Sequence, residues 1–233
     1  MTAGSPAGQA GMERAVRGGT RSEVAPPAAR VRFVADLVCP WCFIGFRRLR
    51  RVLGEGAVTW HPFLLNPHLP SEGVARSRYL ERKFGSLVQA QRLHGRVGEV
   101  GAREGIRFAF SAIRTQPSTV LAHALVLAAA EQGDPAPAAE ALFAAFFERG
   151  VDIGDRQALR TLAREAGLRS DALDQPGWAQ RVVRAHADAC RFGINGVPIC
   201  AFGEDHVIAG AQPAEALQVL LDLERYRLAA RPG

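Results

Sequence analysis

Two kinds of hydrophobic pattern run along this chain, and the order in which they come outlines an architecture. Residues 31–38 are apolar and rich in β-branched side chains, which predicts a strand buried in a sheet. Cys39-Pro40-Trp41-Cys42 follows at once, and Pro40 suits the first turn of a helix. Beyond it, Cys42, Phe46, Leu49 and Leu53 share one helical face, while Arg47, Arg48, Arg50 and Arg51 form a solvated face opposite. Gly54 and Gly56 end that helix, and residues 58–65 predict a second strand closed by Asn66-Pro67.

The period then changes. Residues 77–103 read as one long, mostly polar helix, and 106–110 as a short extended piece. Pro117-Ser118-Thr119 looks like a cap for a helix reaching Glu131. Leu142, Phe143, Phe146 and Phe147 stripe another helix that ends at Gly150. Asp155 caps a helix running to Ala166, and a further helix covers 178–192. Strand signals return at 198–202 and 206–209, around a three-residue loop at 203–205, and Pro213 opens a last helix with Leu217, Leu220, Leu221 and Leu228 on its apolar face. The order is βαβ, a helical block, then ββα. No repeat, GxGxxG or Walker loop interrupts it.

Composition narrows the class. The chain has 233 residues, of which 48% are hydrophobic and 22% charged, which excludes collagen, wholesale disorder and a disulfide-stapled miniprotein. No apolar run reaches the roughly 18 residues of a membrane helix, so no membrane association is expected. The net charge of +6 comes from 28 Arg and one Lys among abundant Ala, a compositional bias and not a nucleic-acid footprint. Residues 1–30 lack the apolar stretch of a secretory signal and are expected to form a disordered tail. Four cysteines, at 39, 42, 190 and 200, are too few and too unevenly placed for a secreted disulfide framework, so a cytoplasmic protein is expected.

In that setting a CxxC that directly follows a buried strand and opens a helix is a redox arrangement. Two intervening residues hold the sulfurs close enough to bond. The helix N-terminus favours a thiolate at the first cysteine. Cys39 is therefore the candidate nucleophile and Cys42, one turn in, the candidate resolving thiol. Zinc is the competing reading, since His186 and Cys190 lie at i, i+4, but a second close cysteine pair is missing and no metal site is expected. A purely structural CxxC is the third alternative. Asp36, three residues before Cys39, is a candidate proton relay or an ordinary structural carboxylate. Trp41, at the helix tip, is expected on the substrate surface. His61 and His123 read as structural, and Cys190 and Cys200 as buried, reduced thiols. Pro198 by itself reads as a trans turn proline.

Asp-Leu-Val-Cys-Pro-Trp-Cys-Phe-Ile-Gly at 36–45, Gly-Ile-Asn-Gly-Val-Pro at 193–198 and Gly-Ala-Gln-Pro at 210–213 together resemble the DsbA family, specifically its cytoplasmic FrnE-like branch. Stretches at 63–67, 117–123 and 145–153 agree, so the resemblance spans about 31–228. It implies an α/β, thioredoxin-like fold with a large helical domain inserted between the βαβ and ββα halves. The implied division is a tail at 1–30, a core at 31–66 and 178–229, and an insertion at 67–177. It also implies thiol–disulfide exchange with a protein or small-molecule substrate, and a cis peptide at Val197-Pro198 facing the CxxC. Pro40, Trp41, Val197 and Pro198 would then border the substrate. No cofactor is implied beyond the redox-active disulfide, with glutathione as a candidate co-substrate. Ser118 and Ala124 depart from the usual Asn and Arg, at positions expected near the substrate cleft. A glutathione-dependent isomerase or kappa-type transferase on the same scaffold, and a non-catalytic redox-gated binding module, are the alternative functions.

Overall fold

The computed structural model describes residues 31–54 and 58–230; the expected tail at 1–30 and Gly56 lie outside them. The predicted strand at 31–38 forms β1 over Val31–Ala35, and its last three residues turn into α1, Pro40–Leu53. β2 is Val58–Pro62, parallel to β1, with Phe33 opposite Trp60. β5 (Ile199–Phe202) pairs antiparallel with the other edge of β1, placing Cys200 opposite Phe33, and β6 (His206–Ala209) completes a sheet of order β2-β1-β5-β6. Between the two halves lie a two-stranded ribbon of β3 (Val74–Ala75) and β4 (Thr115–Gln116), and the helices α2 (Arg76–Phe84), α3 (Leu87–Arg103), α4 (Val120–Gln132), α5 (Ala136–Arg149) and α6 (Arg156–Glu165). α7, Pro176–Arg191, packs on β2 and α4, and the expected boundary at 178 falls inside it; α8, Ala214–Ala229, lies against α1.

Local chemistry explains the departures from the sequence pattern. The single helix expected at 77–103 is two, because Gly85 takes a left-handed φ of 81° and Ser86 starts α3 by accepting a hydrogen bond from the Gln89 amide. Gly85 and Ser86 are a stop and a start within an otherwise continuous polar pattern. The extended piece at 106–110 is irregular chain leading into a 3₁₀ turn, Phe110–Ala112, because Phe108 and Phe110 pack on Phe147 rather than pairing with a strand. The β3–β4 ribbon carries no alternation that two-residue strands could display.

One core runs through both halves. Phe33, Phe46, Trp60 and Phe143 form a contiguous aromatic group with centroids 5.6–6.1 Å apart, and Phe43 stacks on Phe143 at 5.0 Å. α1 is thus buried on two sides: Cys42, Phe46, Leu49 and Leu53 are covered as their spacing predicts, and Phe43 and Ile44 are covered as well. Of its four arginines only Arg51 is exposed, and all four are paired. Arg47 pairs with Glu140, Arg50 with Asp134, and Arg48 and Arg51 both with Glu104, each at 2.7 Å. Arg48 also donates to the Ala211 carbonyl. These pairs hold α1 to α3, α5 and the loop before α8. Gly45 permits the approach of that loop, since a Cβ there would meet Pro198 Cγ at 3.3 Å and Ala211 Cα at 3.5 Å.

Candidate active site

Cys39 occupies the N-cap of α1 in an extended conformation, with Pro40 in the first turn. Its carbonyl accepts from the amides of Cys42 and Phe43, and its own amide donates to the Asp36 carbonyl. The first helical turn therefore carries both cysteines, and the buried end of β1 fixes where that turn begins. Cys39 is 5% exposed and opens onto a cleft, whereas Cys42 is fully buried; both are free thiols. Burial, reinforced by a hydrogen bond with Cys39 and by its charge, pushes the Cys42 thiol well above its ordinary pKa. A hydrogen bond with the Asp36 backbone opposes this, and the Asp36 carboxylate adds to it. Trp41 is 41% exposed on the cleft rim.

The Val197–Pro198 peptide bond is cis. The Cys39 thiol points at the Val197 carbonyl oxygen, 3.8 Å away, and Pro198 is buried with its own carbonyl accepting from the Gly210 amide. The turn at 193–198 and the CxxC thus meet at one end of the sheet, with 158 positions between Cys39 and Val197.

Asp36 lies beneath the cysteines, 1% exposed. Its Oδ2 accepts from the Leu65 amide at 2.7 Å, and its Oδ1 faces His123 Nε2 at 3.4 Å; among the described residues neither of these last two atoms has a hydrogen-bond partner. The indole N–H of Trp60 donates to His123 Nδ1 at 3.0 Å. An indole nitrogen can only donate, so Nδ1 accepts and the ring proton sits on Nε2, directed at Asp36. His123, on α4, thus presents Nε2 to the carboxylate. His61 bonds the Ala185 carbonyl and stays outside this chain of contacts.

The remaining predicted positions separate. Cys190 is exposed, correcting the expectation of a buried thiol, because α7 covers only Val182 and Ala189. Its sulfur lies 3.8–3.9 Å from the His186 ring, whose Nδ1 also meets the Leu64 amide, and among the described residues no group of three or more potential ligands gathers to hold a metal. Cys200 is buried on β5, and burial pushes it up to about 12. Ala124 is fully buried with Leu64 and Val182 and does not line the cleft. Sequence reasoning missed the far wall of that cleft, which Arg76, Tyr79 and Lys83 build from α2 with His94 of α3. Their i, i+3, i+7 spacing on α2 was the available signal.

Comparison with known proteins agrees with this geometry. The model of the DSBA-like thioredoxin domain matches residues 30–222. The protein YwbO of Bacillus subtilis is 26% identical over 205 residues, covering 84% of this chain and 96% of its own. The crystal structure of the probable DsbA oxidoreductase SCO1869 from Streptomyces coelicolor superimposes with a TM-score of 0.76 at 26% identity, over 88% of this chain and 92% of that one. The cytosolic disulfide reductase DsbM from Pseudomonas aeruginosa, solved with GSH, shares the fold at a TM-score of 0.55 and 18% identity, over 86% and 97%. The chain belongs to the DSBA-like thioredoxin domain family and is a DsbA-like thiol–disulfide oxidoreductase.

Proposed function

We propose that the chain is a cytoplasmic dithiol–disulfide oxidoreductase in which Cys39 attacks and Cys42 resolves. The observation that carries this reading is the asymmetry of the pair: Cys39 lines a cleft at a helix tip, and Cys42 is buried one turn behind it. Cys39 as thiolate bonds to one sulfur of the substrate disulfide and expels the other as a thiolate. Cys42 then attacks the Cys39 sulfur of the mixed disulfide, closing the intramolecular disulfide and expelling the second substrate thiolate. Two electrons pass to the substrate, and the two thiol protons end on the leaving groups. The oxidase direction is the reverse.

Cys42 cannot ionise readily where it lies, so its proton needs an acceptor. Asp36, held by the Leu65 amide and facing His123, serves as the relay. Pro40, Trp41, Val197 and Pro198 border the substrate, and the Val197 backbone pairs with an extended substrate segment as an added strand would. Glutathione is the candidate co-substrate, a reading supported by the GSH-bound relative of the same fold.

Reduction of insulin disulfides tests the assignment. Cys39→Ser abolishes turnover, and Cys42→Ser accumulates a mixed disulfide at Cys39. Retained turnover without Cys39 refutes the mechanism. Retained catalysis without Cys42 would favour a one-thiol, glutathione-dependent isomerase or transferase, and absence of turnover in the parent protein a redox-gated binding module.

A further inference from the structure

Three hollows meet along α2. The one in front of Cys39 has a volume of about 490 Å³, and two neighbours of about 480 and 440 Å³ open on either side. Among the described residues no Asp or Glu lines any of the three, while Arg78, Arg82, Lys83, Arg96 and Arg114 do. In the middle, shared by the hollow at Cys39 and one neighbour, is Arg76, a cation only 8% exposed.

Its burial follows from the β3–β4 ribbon. Arg76 is the first residue of α2, its amide bonds the Arg114 carbonyl, and its Nη1 donates to Gln116 Oε1 of β4. Its guanidinium lies 5.5 Å from the centre of the Tyr79 ring. Among the described residues no carboxylate comes within ion-pairing distance of it, and its Nε is buried with no partner at all. His94, stacked on Phe110 at 4.1 Å, supplies no counter-charge: burial and then the Arg76 charge lower it to about 4, so it is neutral at pH 7.

A buried charge without a counter-ion is costly to keep. The unpaired Nε edge of a guanidinium is the edge that a two-oxygen carboxylate matches. We propose that the cleft takes a low-molecular-weight disulfide bearing a carboxylate, which Arg76 receives while the disulfide sulfur lies against Cys39. Tyr79 and Trp41 flank it as apolar walls, and Lys83, bonded to the Tyr79 hydroxyl at 2.8 Å, adds positive charge. The cleft volume falls in the range of small-ligand sites, which favours a small molecule over an acidic protein side chain. This inference rests on Cys39 being the attacking thiol. The exchange is the one already described: the protein dithiol becomes a disulfide and the substrate becomes two thiols.

The test uses the reduced full chain and three dialkyl disulfides, namely dithiodipropionate (dianion), hydroxyethyl disulfide (neutral) and cystamine (dication). A thiolate in free solution attacks the dication fastest, by Coulomb's law. Here the dianion is expected to react fastest, by at least about tenfold over the neutral compound, equivalent to about 1.4 kcal/mol. Arg76→Gln collapses that ratio towards one. Should the variant not fold, the parent protein still decides: the thioether thiodipropionate slows alkylation of Cys39 by iodoacetamide, and neutral thiodiethanol does not. Reduction of all three disulfides with cystamine fastest, or no protection by thiodipropionate, overturns the carboxylate site alone. Protection by a glutamate-containing peptide but not by thiodipropionate overturns it in favour of a protein substrate. Reduction of none of the three overturns the oxidoreductase reading as well.

Discussion

Replacing Asp36 by Asn separates two effects of opposite sign on the same thiol. The Asp36 carboxylate helps hold the Cys42 pKa up, so removing its charge lowers that pKa and makes thiolate easier to form. If repulsion were its only action, the variant would resolve mixed disulfides faster. If Asp36 takes the Cys42 proton, the variant resolves them more slowly, because at pH 7 a thiol with a pKa above 9.0 is ionised less than about 1% of the time. General bases typically contribute about 10²–10⁴-fold, so a slowing of about a hundredfold is expected. The assay is reaction of the reduced protein with dithionitrobenzoate in a Cys190→Ala background, which removes the exposed thiol. The first burst of thionitrobenzoate reports attack by Cys39 and the second reports displacement by Cys42; only the second slows. The hydrogen bonds also set the stability. In Asp36→Asn the side-chain amide oxygen can still accept from Leu65, but the NH₂ group then faces the Nε2–H of His123, and Trp60 prevents that proton from moving to Nδ1. One unpaired buried donor costs about 1–3 kcal/mol. Trp60→Phe frees Nδ1, so the double variant recovers about 1 kcal/mol relative to the sum of the single ones in a urea-unfolding cycle. A second phase that is unchanged or faster in a folded Asp36→Asn protein refutes the relay.

Three other outcomes follow from the same structure. Burial alone would raise the Glu104 pKa, but hydrogen bonds from Arg48 and Arg51 outweigh it and hold the carboxylate below its usual range. Its stabilisation is fully present above the unfolded value of about 4.3 and is lost as pH falls through the lower folded value. Urea midpoints measured from neutral pH downwards should therefore drop less steeply for Glu104→Gln than for the parent; equal slopes would remove the pair from the acid response. Arg48→Met leaves the Glu104 side chain, which is only 8% exposed, with Arg51 as its one remaining ion-pair partner and should cost about 1.5–3 kcal/mol at pH 7, the loss of one hydrogen bond to a charged group. As for the outlying thiols, iodoacetamide at pH 8 should label Cys190 and spare Cys200, whose thiolate fraction at a pKa of about 12 is about 10⁻⁴; peptide mass mapping reads the pattern, and labelled Cys200 in folded protein would contradict its burial.

What could be read along the chain was whatever local chemistry imposes within a few residues. Apolar, β-branched runs and period-3.6 patterns placed β1, β2, β5 and β6 and most helices, Pro40 and Asp155 marked helix starts, and the CxxC put two thiols on one first turn. The motif at 193–198 drew attention to the cis peptide by resemblance, not by its own composition. Everything that depends on which surfaces meet was decided by packing. Polar spacing marks a helix face as non-apolar, and says nothing of whether water or carboxylates cover it; Arg47 and Arg48 face Glu140 and Glu104 only because α1 lies between α3 and α5. Cys190 and Cys200 are the same residue type ten positions apart, one on the open side of α7 and one on a strand inside the sheet. Asp36, Trp60 and His123 come from three segments separated by as many as 87 positions, and only the stacking of α4 on the sheet brings the hydrogen-bonded Trp60–His123 pair up against the Asp36 carboxylate. Arg76 is an ordinary helix-start arginine in the sequence. A two-residue ribbon with no hydrophobic signature buries it beside the cysteines, and its charge acquires meaning there because, among the described residues, no carboxylate is folded in with it.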